Sequence, residues 1–282
     1  MIATIPLRSL SAVWIQVTGT WCNLQCTHCL NASGPRDPWL APMAAAGVER
    51  HVVDAARLGA HEVYFTGGEP FLHPRILDLL AFALTRLPTT VLTNGTRITE
   101  RVADRLVDLA ARARYSLEVR VSLDAPEREA NDRVRGRGAF DRALAAITRL
   151  DARGLPPILT ATDPGDAVVG DGGLYERLRR LLLAAGVARP RIKLLPIFPV
   201  GRSAGGAPPP DAVDVDGGNV SRLPCADSRA VTADGVYACP ILAGLPEARL
   251  DGDTLDHALG PVALRHAACR VCLETGASCR NA

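Results

Sequence analysis

The sequence predicts an α/β fold: a partial (β/α)6 barrel of the TIM type followed by a small cysteine-rich C-terminal domain. Three observations carry this. Short apolar runs alternate with longer helical patterns six times along the first two thirds of the chain. A composition break at Gly201–Gly218, with Gly-Gly-Ala-Pro-Pro-Pro and an acidic, apolar-poor stretch, then interrupts the pattern. Beyond it lie five of the eight cysteines, from Cys225 to Cys279.

Taken in order, Val13–Val17 reads as the first strand and runs straight into a cysteine loop. Met43–Leu58 is helical by its apolar spacing, with Gly59 as the stop. Glu62–Thr66 is a strand, Arg75–Leu87 a helix, Thr90–Thr93 a strand and Thr99–Arg112 a helix. Leu117–Ser122 follows as a strand and Phe140–Arg153 as a helix closed by Gly154. Ile158–Ala161, a helix around Tyr175–Ala185 and Ile192–Leu195 complete the alternation. Repeated βα units imply parallel strands with right-handed crossovers. Six units in about 200 residues fit a partial barrel better than a closed eightfold one. An open doubly wound sheet has the same element order. The break places a boundary near Gly205, giving units 1–204 and 205–282, and the short second unit needs a metal or crosslink to hold together.

Composition narrows the function. The chain has 282 residues, of which 48% are hydrophobic, enough for a sizeable core. A net charge of +2 gives no nucleic-acid footprint and no basic membrane-surface helix. Met1–Leu10 lacks the charged and apolar regions of a secretion signal, and no apolar run reaches about eighteen residues. The cysteines gather in two groups instead of spreading as a disulfide framework, which points to metal-bound thiolates in a reducing cytoplasm. Lys193 is the only lysine among many arginines and reads as codon bias of a GC-rich genome.

The first cysteine group is Cys22, Cys26 and Cys29 in Thr20-Trp21-Cys22-Asn23-Leu24-Gln25-Cys26-Thr27-His28-Cys29. Three thiolates in one loop form a soft ligand set for an iron–sulfur cluster or zinc. Either centre wants four ligands, so three leave one position open, and an open iron can bind a substrate or cofactor. The next strand ends carry Thr66-Gly67-Gly68-Glu69-Pro70, Thr93-Asn94-Gly95 and Ser122-Leu123-Asp124. The C-terminal strand edge is where such folds do chemistry, so these turns belong to one site. Gly67 and Gly68 permit close backbone approach, and Glu69 supplies an acceptor for an ammonium group. Taken alone, Gly67–Pro70 also suits a tight turn before a helix. Asn94 is equally a turn residue, and Asp124 a turn cap beside Pro126. The second group, Cys225, Cys239, Cys269 and Cys272, is a complete four-thiolate set for zinc or a [4Fe–4S] cluster. Cys225 and Cys239 flank a hairpin, Ala230–Thr232 and Val236–Ala238, turned at Asp234-Gly235.

The Cys22/Cys26/Cys29 spacing followed by Gly-Gly-Glu-Pro after the second strand resembles the radical S-adenosylmethionine (radical SAM) family, with His28 where an aromatic is usual. The resemblance implies a [4Fe–4S] cluster on the three cysteines whose open iron chelates the amino and carboxylate groups of SAM. Reductive cleavage then yields a 5′-deoxyadenosyl radical that abstracts hydrogen from a substrate C–H bond. By the same resemblance Gly67, Gly68 and Glu69 bind the SAM amino group, Ser122 and Asp124 meet the ribose, and Arg135 lies near the carboxylate. His28 packs near the adenine through its backbone, Asn94 joins the SAM-binding set, and Arg202 points into the site. Cys225, Cys239, Cys269 and Cys272 resemble a SPASM/twitch extension in its shorter form, with a second, auxiliary [4Fe–4S] cluster and Cys279 as a spare.

These expectations make the chain a radical SAM enzyme that draws an electron from a flavodoxin or ferredoxin. The auxiliary cluster accepts the electron left on the substrate radical, giving net oxidation or a crosslink. Related enzymes mature ribosomally made peptides, modify proteins or oxidise small alcohols, so a peptide, carrier-bound or small-molecule substrate stays open. The first strand begins about a dozen residues from Met1, too soon for a separate peptide-recognition domain. A non-catalytic iron–sulfur or zinc protein is the alternative from outside enzymology.

Overall fold

The alternation predicted from the sequence is realised as strands that follow one another across a single sheet. The computed structural model describes residues 3–36, 38–163, 165, 172–204, 223–276 and 279–280. Its strands are β1 (Thr4–Ile5), β2 (Ala12–Gln16), β3 (Glu62–Thr66), β4 (Thr89–Thr93), β5 (Leu117–Ser122), β6 (Ile158–Asp163), β7 (Arg191–Pro196), β8 (Ser228–Thr232), β9 (Gly235–Tyr237) and β10 (Val262–Ala263). Its helices are α1 (Ala45–Arg57), α2 (Ile76–Leu84), α3 (Glu100–Arg112), α4 (Arg128–Arg135), α5 (Ala139–Ala152), α6 (Leu174–Ala184) and α7 (Ala267–Thr275).

The main sheet runs β7-β6-β5-β4-β3-β2-β8-β9, parallel from β7 to β8 and antiparallel only at the β8–β9 hairpin. Because side chains alternate along a strand, each strand feeds two layers. Val13, Ile15, Val63, Phe65, Val91, Val119, Val121 and Leu159 face the helices and join Val48, Val52, Leu79, Leu106 and Ile147 in one core. Burying each such Val, Leu or Phe is worth about 1.5–3 kcal/mol. The opposite residues, Ala12, Trp14, Tyr64 and Leu92, face the barrel interior and pack against the cysteine-rich C-terminal region. There Trp14 stacks on Tyr64 with ring centroids 3.9 Å apart and planes 9° from parallel.

Local chemistry sets the helix ends. Thr99 caps α3 by accepting from the Val102 N–H at 3.3 Å, with Glu100 in the first turn and Arg112 in the last, matching the helix dipole. His266 caps α7 through Nδ1, which accepts from the Ala268 N–H at 3.1 Å, and Gly276 in the left-handed region ends it.

Three features differ from the sequence reading. The hairpin extends the barrel sheet, because β8 pairs in parallel with β2 from Ala12↔Ser228 to Ile15↔Val231. Helix α4, whose short polar sequence carries little apolar pattern, precedes α5. A two-stranded antiparallel sheet joins β1 to β10, and two-residue strands leave no period to read. The Gly-Pro linker after Gly205 lies outside the described residues. No helix among them is long and apolar enough to cross a membrane.

Candidate active site at the cysteine loop

The cysteine loop leaves β2 at its C-terminal end and is held on every side by backbone. The Cys22 N–H donates to the Gly34 carbonyl at 3.0 Å and the Thr27 N–H to the Val134 carbonyl at 2.9 Å. The turn after β3 docks beneath it, with the Glu69 N–H on the Trp21 carbonyl at 3.0 Å. Gly68 is needed for that approach, since a Cβ there would lie 2.1 Å from the Trp21 oxygen. The close neighbour of this glycine is the cysteine loop itself. Arg202, expected to point into the site, instead clamps the loop from outside. Its Nε donates to the Cys26 carbonyl at 2.6 Å, Nη2 donates to the Ser33 carbonyl, and its N–H reaches the Cys29 carbonyl at 3.0 Å.

Cys22, Cys26 and Cys29 border a cavity of about 210 Å³ at the C-terminal strand edge. Gly67, Gly68, Thr93, Asn94, Ser122 and Arg135 border the same cavity, so all the strand-end turns singled out above meet there. A larger surface groove of about 530 Å³ between α2 and α3 carries Arg75, Arg97 and Arg105 but none of the cysteines. The smaller cavity is therefore the candidate active site.

Burial pushes the Cys22 thiol up to about 12 and raises Cys26 as well. Such thiols are poor free nucleophiles and ionise when a metal supplies the countercharge. Two sulfurs already accept backbone hydrogen bonds, Cys22 Sγ from Leu24 N–H at 3.4 Å and Cys29 Sγ from Ser33 N–H at 3.3 Å. N–H donors of this kind stabilise charge on cluster thiolates. The donor set and its surroundings fit an iron–sulfur cluster.

Glu69 is fully buried, and its carboxylate already accepts three protein donors. These are Phe71 N–H at 3.0 Å and Thr93 Oγ1 at 2.7 Å on one oxygen, and Asn94 N–H at 2.8 Å on the other. Burial raises its pKa and the three hydrogen bonds oppose the rise. It ties the turn after β3 to the end of β4 and retains one acceptor position. Asn94 supports the loop: its Nδ2 donates to Asn23 Oδ1 at 3.0 Å and lies 3.7 Å from Cys22 Sγ.

Asp124 and Arg135 face each other. The Arg135 guanidinium and the Asp124 carboxylate form a buried ion pair at 2.6 Å. His28 Nε2 lies 2.6 Å from the same carboxylate oxygen, and Thr162 N–H donates to the other at 2.8 Å. Burial alone would raise the Asp124 pKa; Arg135 and His28 outweigh it and hold the carboxyl well below its usual range. The His28 side chain thus has a partner of its own, which its place between two cysteines did not disclose. Ser122 borders the cavity from β5. His51 and His73 are buried, at 4% and 7% exposure.

The second cysteine group converges from three elements. Cys225 precedes β8, Cys239 follows β9, and Cys269 and Cys272 share one face of α7 at i, i+3 spacing. All four border a small apolar cavity with Leu223, Ile241 and Leu264. Burial pushes Cys225 up to about 12 and raises Cys239, Cys269 and Cys272. The charges of Cys272, Cys239 and Cys279 act on one another, so the fifth cysteine belongs to this neighbourhood. Among the described residues no three His, Cys, Asp or Glu side chains converge closely enough to hold a single metal ion. A four-iron cluster takes one thiolate per iron.

The model of the radical SAM superfamily matches residues 17–166. Mycofactocin maturase MftC of Mycobacterium tuberculosis strain H37Rv is 37% identical over 134 residues, 47% of this chain and 32% of that protein. MftC of Mycolicibacterium smegmatis is 32% identical over 184 residues, 65% of this chain and 44% of its own length. The chain thus spans less than half of these relatives. Among solved structures, Streptococcus suis SuiB bound to precursor peptide SuiA superposes with a TM-score of 0.63 at 16% identity, over 90% of this chain and 65% of SuiB. AnSMEcpe with bound AdoMet gives 0.63 at 16%, over 88% and 79%. At these identities the structures show a shared fold.

Proposed function

Because the chain belongs to the radical SAM superfamily, we propose that it is a peptide maturase using a SAM-derived radical to oxidise or crosslink its substrate. One observation carries the reading. The three thiols of the β2 loop and the Gly67-Gly68 turn border one cavity, enclosed by the inner face of the barrel. When bound on Cys22, Cys26 and Cys29, a [4Fe–4S] cluster with SAM supplies one-electron reductive cleavage to a hydrogen-abstracting radical.

The chain's own residues do the rest. Gly67, Gly68 and the remaining acceptor position of Glu69 receive the SAM amino group, Ser122 and Asp124 its ribose side, and Arg135 its carboxylate end. Asp124 orients Arg135 and His28 through the buried ion pair. Asn94 supports the Cys22 segment. The apolar residues Leu92, Leu195 and Phe198 exclude water from the cavity. Cys225, Cys239, Cys269 and Cys272 would hold an auxiliary [4Fe–4S] cluster, which would supply an acceptor for the electron left on the substrate, and a flavodoxin or ferredoxin would supply the first electron. The first unit, 1–204, carries the radical chemistry and the second, 205–282, the auxiliary centre, in a cytoplasmic protein. The maturase reading takes its support from the likeness to mycofactocin maturase MftC and to SuiB bound to its precursor peptide.

The test is anaerobic reconstitution followed by SAM and dithionite. The wild type should form 5′-deoxyadenosine and the Cys26→Ala variant none. A short precursor peptide encoded beside the gene should then lose hydrogen or gain a crosslink by mass spectrometry. SAM cleavage with every peptide unmodified would favour a small-molecule dehydrogenase; no cleavage at all would leave a metal-binding protein.

A further inference from the structure

Arg120 lies on the inner face of β5, two residues below Ser122, and borders the same cavity as the three cysteines. It is 1% exposed, yet among the described residues no carboxylate forms an ion pair with it. Its Nε donates to Thr160 Oγ1 at 3.1 Å and its Nη1 to the Cys279 carbonyl at 2.7 Å, both uncharged acceptors. Its Nη2 is buried with no hydrogen-bond partner. A guanidinium has five N–H donors, so three remain for another group. Lys193 stands beside it: the β6–β7 register places Lys193 opposite Thr160, and its Nζ donates to the Arg280 carbonyl at 2.6 Å, again uncharged.

Two neighbouring cations with uncharged acceptors are costly inside a protein. The titratable groups whose charges act on Arg120 are Cys279, Tyr64, Glu62 and Lys193. Glu62 is already taken by Arg280 at 2.7 Å and by the Tyr64 hydroxyl at 2.8 Å. Arg135, the other arginine bordering the cavity, already has Asp124. Among the described residues, Arg120 is therefore the arginine of this cavity without a paired anion.

We propose that Arg120, with Lys193 beside it, anchors a carboxylate of the substrate on the inner wall of the chamber. The proposal rests on reading the cavity as the reaction chamber. A planar carboxylate suits the remaining N–H donors, which can hold it in a fixed orientation. The substrate would then be fixed at its acidic end, with the bond to be attacked held toward the cysteine loop.

Lys193 makes the test direct, because it is the only lysine in the chain. Reductive ¹³C-methylation of the full, anaerobically reconstituted protein labels one side chain besides the terminal amine. The probes are N-acetylglycine and its neutral amide. The carboxylate should shift the Lys193 resonance saturably, the amide should not, and SAM should not displace the carboxylate. Arg120→Gln should weaken the carboxylate response at least tenfold while 5′-deoxyadenosine still forms. An equal response to the amide, no response to either probe, or full affinity in Arg120→Gln would overturn the proposal. So would displacement by SAM, which would assign the guanidinium to the cofactor. These wild-type titrations hold even if the variant folds poorly. Absence of SAM cleavage in the wild type would instead defeat the function proposed above and leave the anion site standing.

Discussion

The Asp124 carboxylate and the Arg135 guanidinium lie 2.6 Å apart, both buried, and Arg135 borders the cavity of the three-cysteine loop. One carboxylate oxygen also lies against His28 of that loop, so a single acid couples the end of β5, helix α4 and the cysteine segment.

Removing that acid should loosen all three. Asp124→Asn leaves Arg135 buried without its counter-ion, a change that costs about 3–5 kcal/mol. The folded pKa is held well below the unfolded value of about 3.9. The stabilisation is therefore fully present above about pH 4 and is lost as pH falls below it. The gap between wild type and variant in thermal melts should stay constant from pH 7 to about pH 4 and begin to narrow only between about pH 4 and pH 3. A gap that does not narrow there would remove Asp124 from this role.

Iron content separates the two cysteine groups. After anaerobic reconstitution the wild type should bind about eight irons, and the Cys22/Cys26/Cys29→Ala triple variant about four. About four irons falling to none, with zinc retained, would make the C-terminal site structural.

Gly68→Ala tests the docking of the β3 turn. The added Cβ would sit 2.1 Å from the Trp21 oxygen and 2.8 Å from the Cys22 nitrogen, both backbone atoms that cannot swing aside. The cysteine loop must move, so the variant should lose about four irons. The auxiliary thiols should keep theirs. Full iron in the variant would show that the loop tolerates the shift.

His51 should report on acid stability from the helix layer. Burial pushes its pKa down to about 4, with Arg50 adding to the fall. Its stabilisation is complete above the unfolded value near 6.5 and decays as pH falls toward 4, by on the order of 3 kcal/mol. His51→Leu should flatten the stability profile across that window; an unchanged profile would mean the imidazole finds water when it protonates.

Much of this site was legible because its chemistry is local. The three cysteines and the Gly-Gly-Glu-Pro turn each sit in one short segment, and the strand alternation places both at the same sheet edge. Pairings across the fold left no such trace. Nothing in the run from Ser122 to Arg135 says that Asp124 will hold Arg135 and His28 together, and Arg202 reaches the cysteine loop from far along the chain. Glu69 was read as a ligand acceptor, although three donors from two turns already occupy it. Lys193 looked like compositional noise until the β6–β7 register set it beside Thr160 and Arg120.

The parallel pairing of β8 with β2 has a consequence for how the chain is made. During synthesis β2 and the cysteine loop it carries emerge early, while the strand that covers β2's second edge comes far later. Until then that edge presents unpaired backbone groups, a template for wrong partners. Contacts so distant in sequence also slow folding. A ribosome-bound fragment lacking Ser228–Thr232 should therefore depend on chaperones, and cluster insertion should follow completion of the sheet.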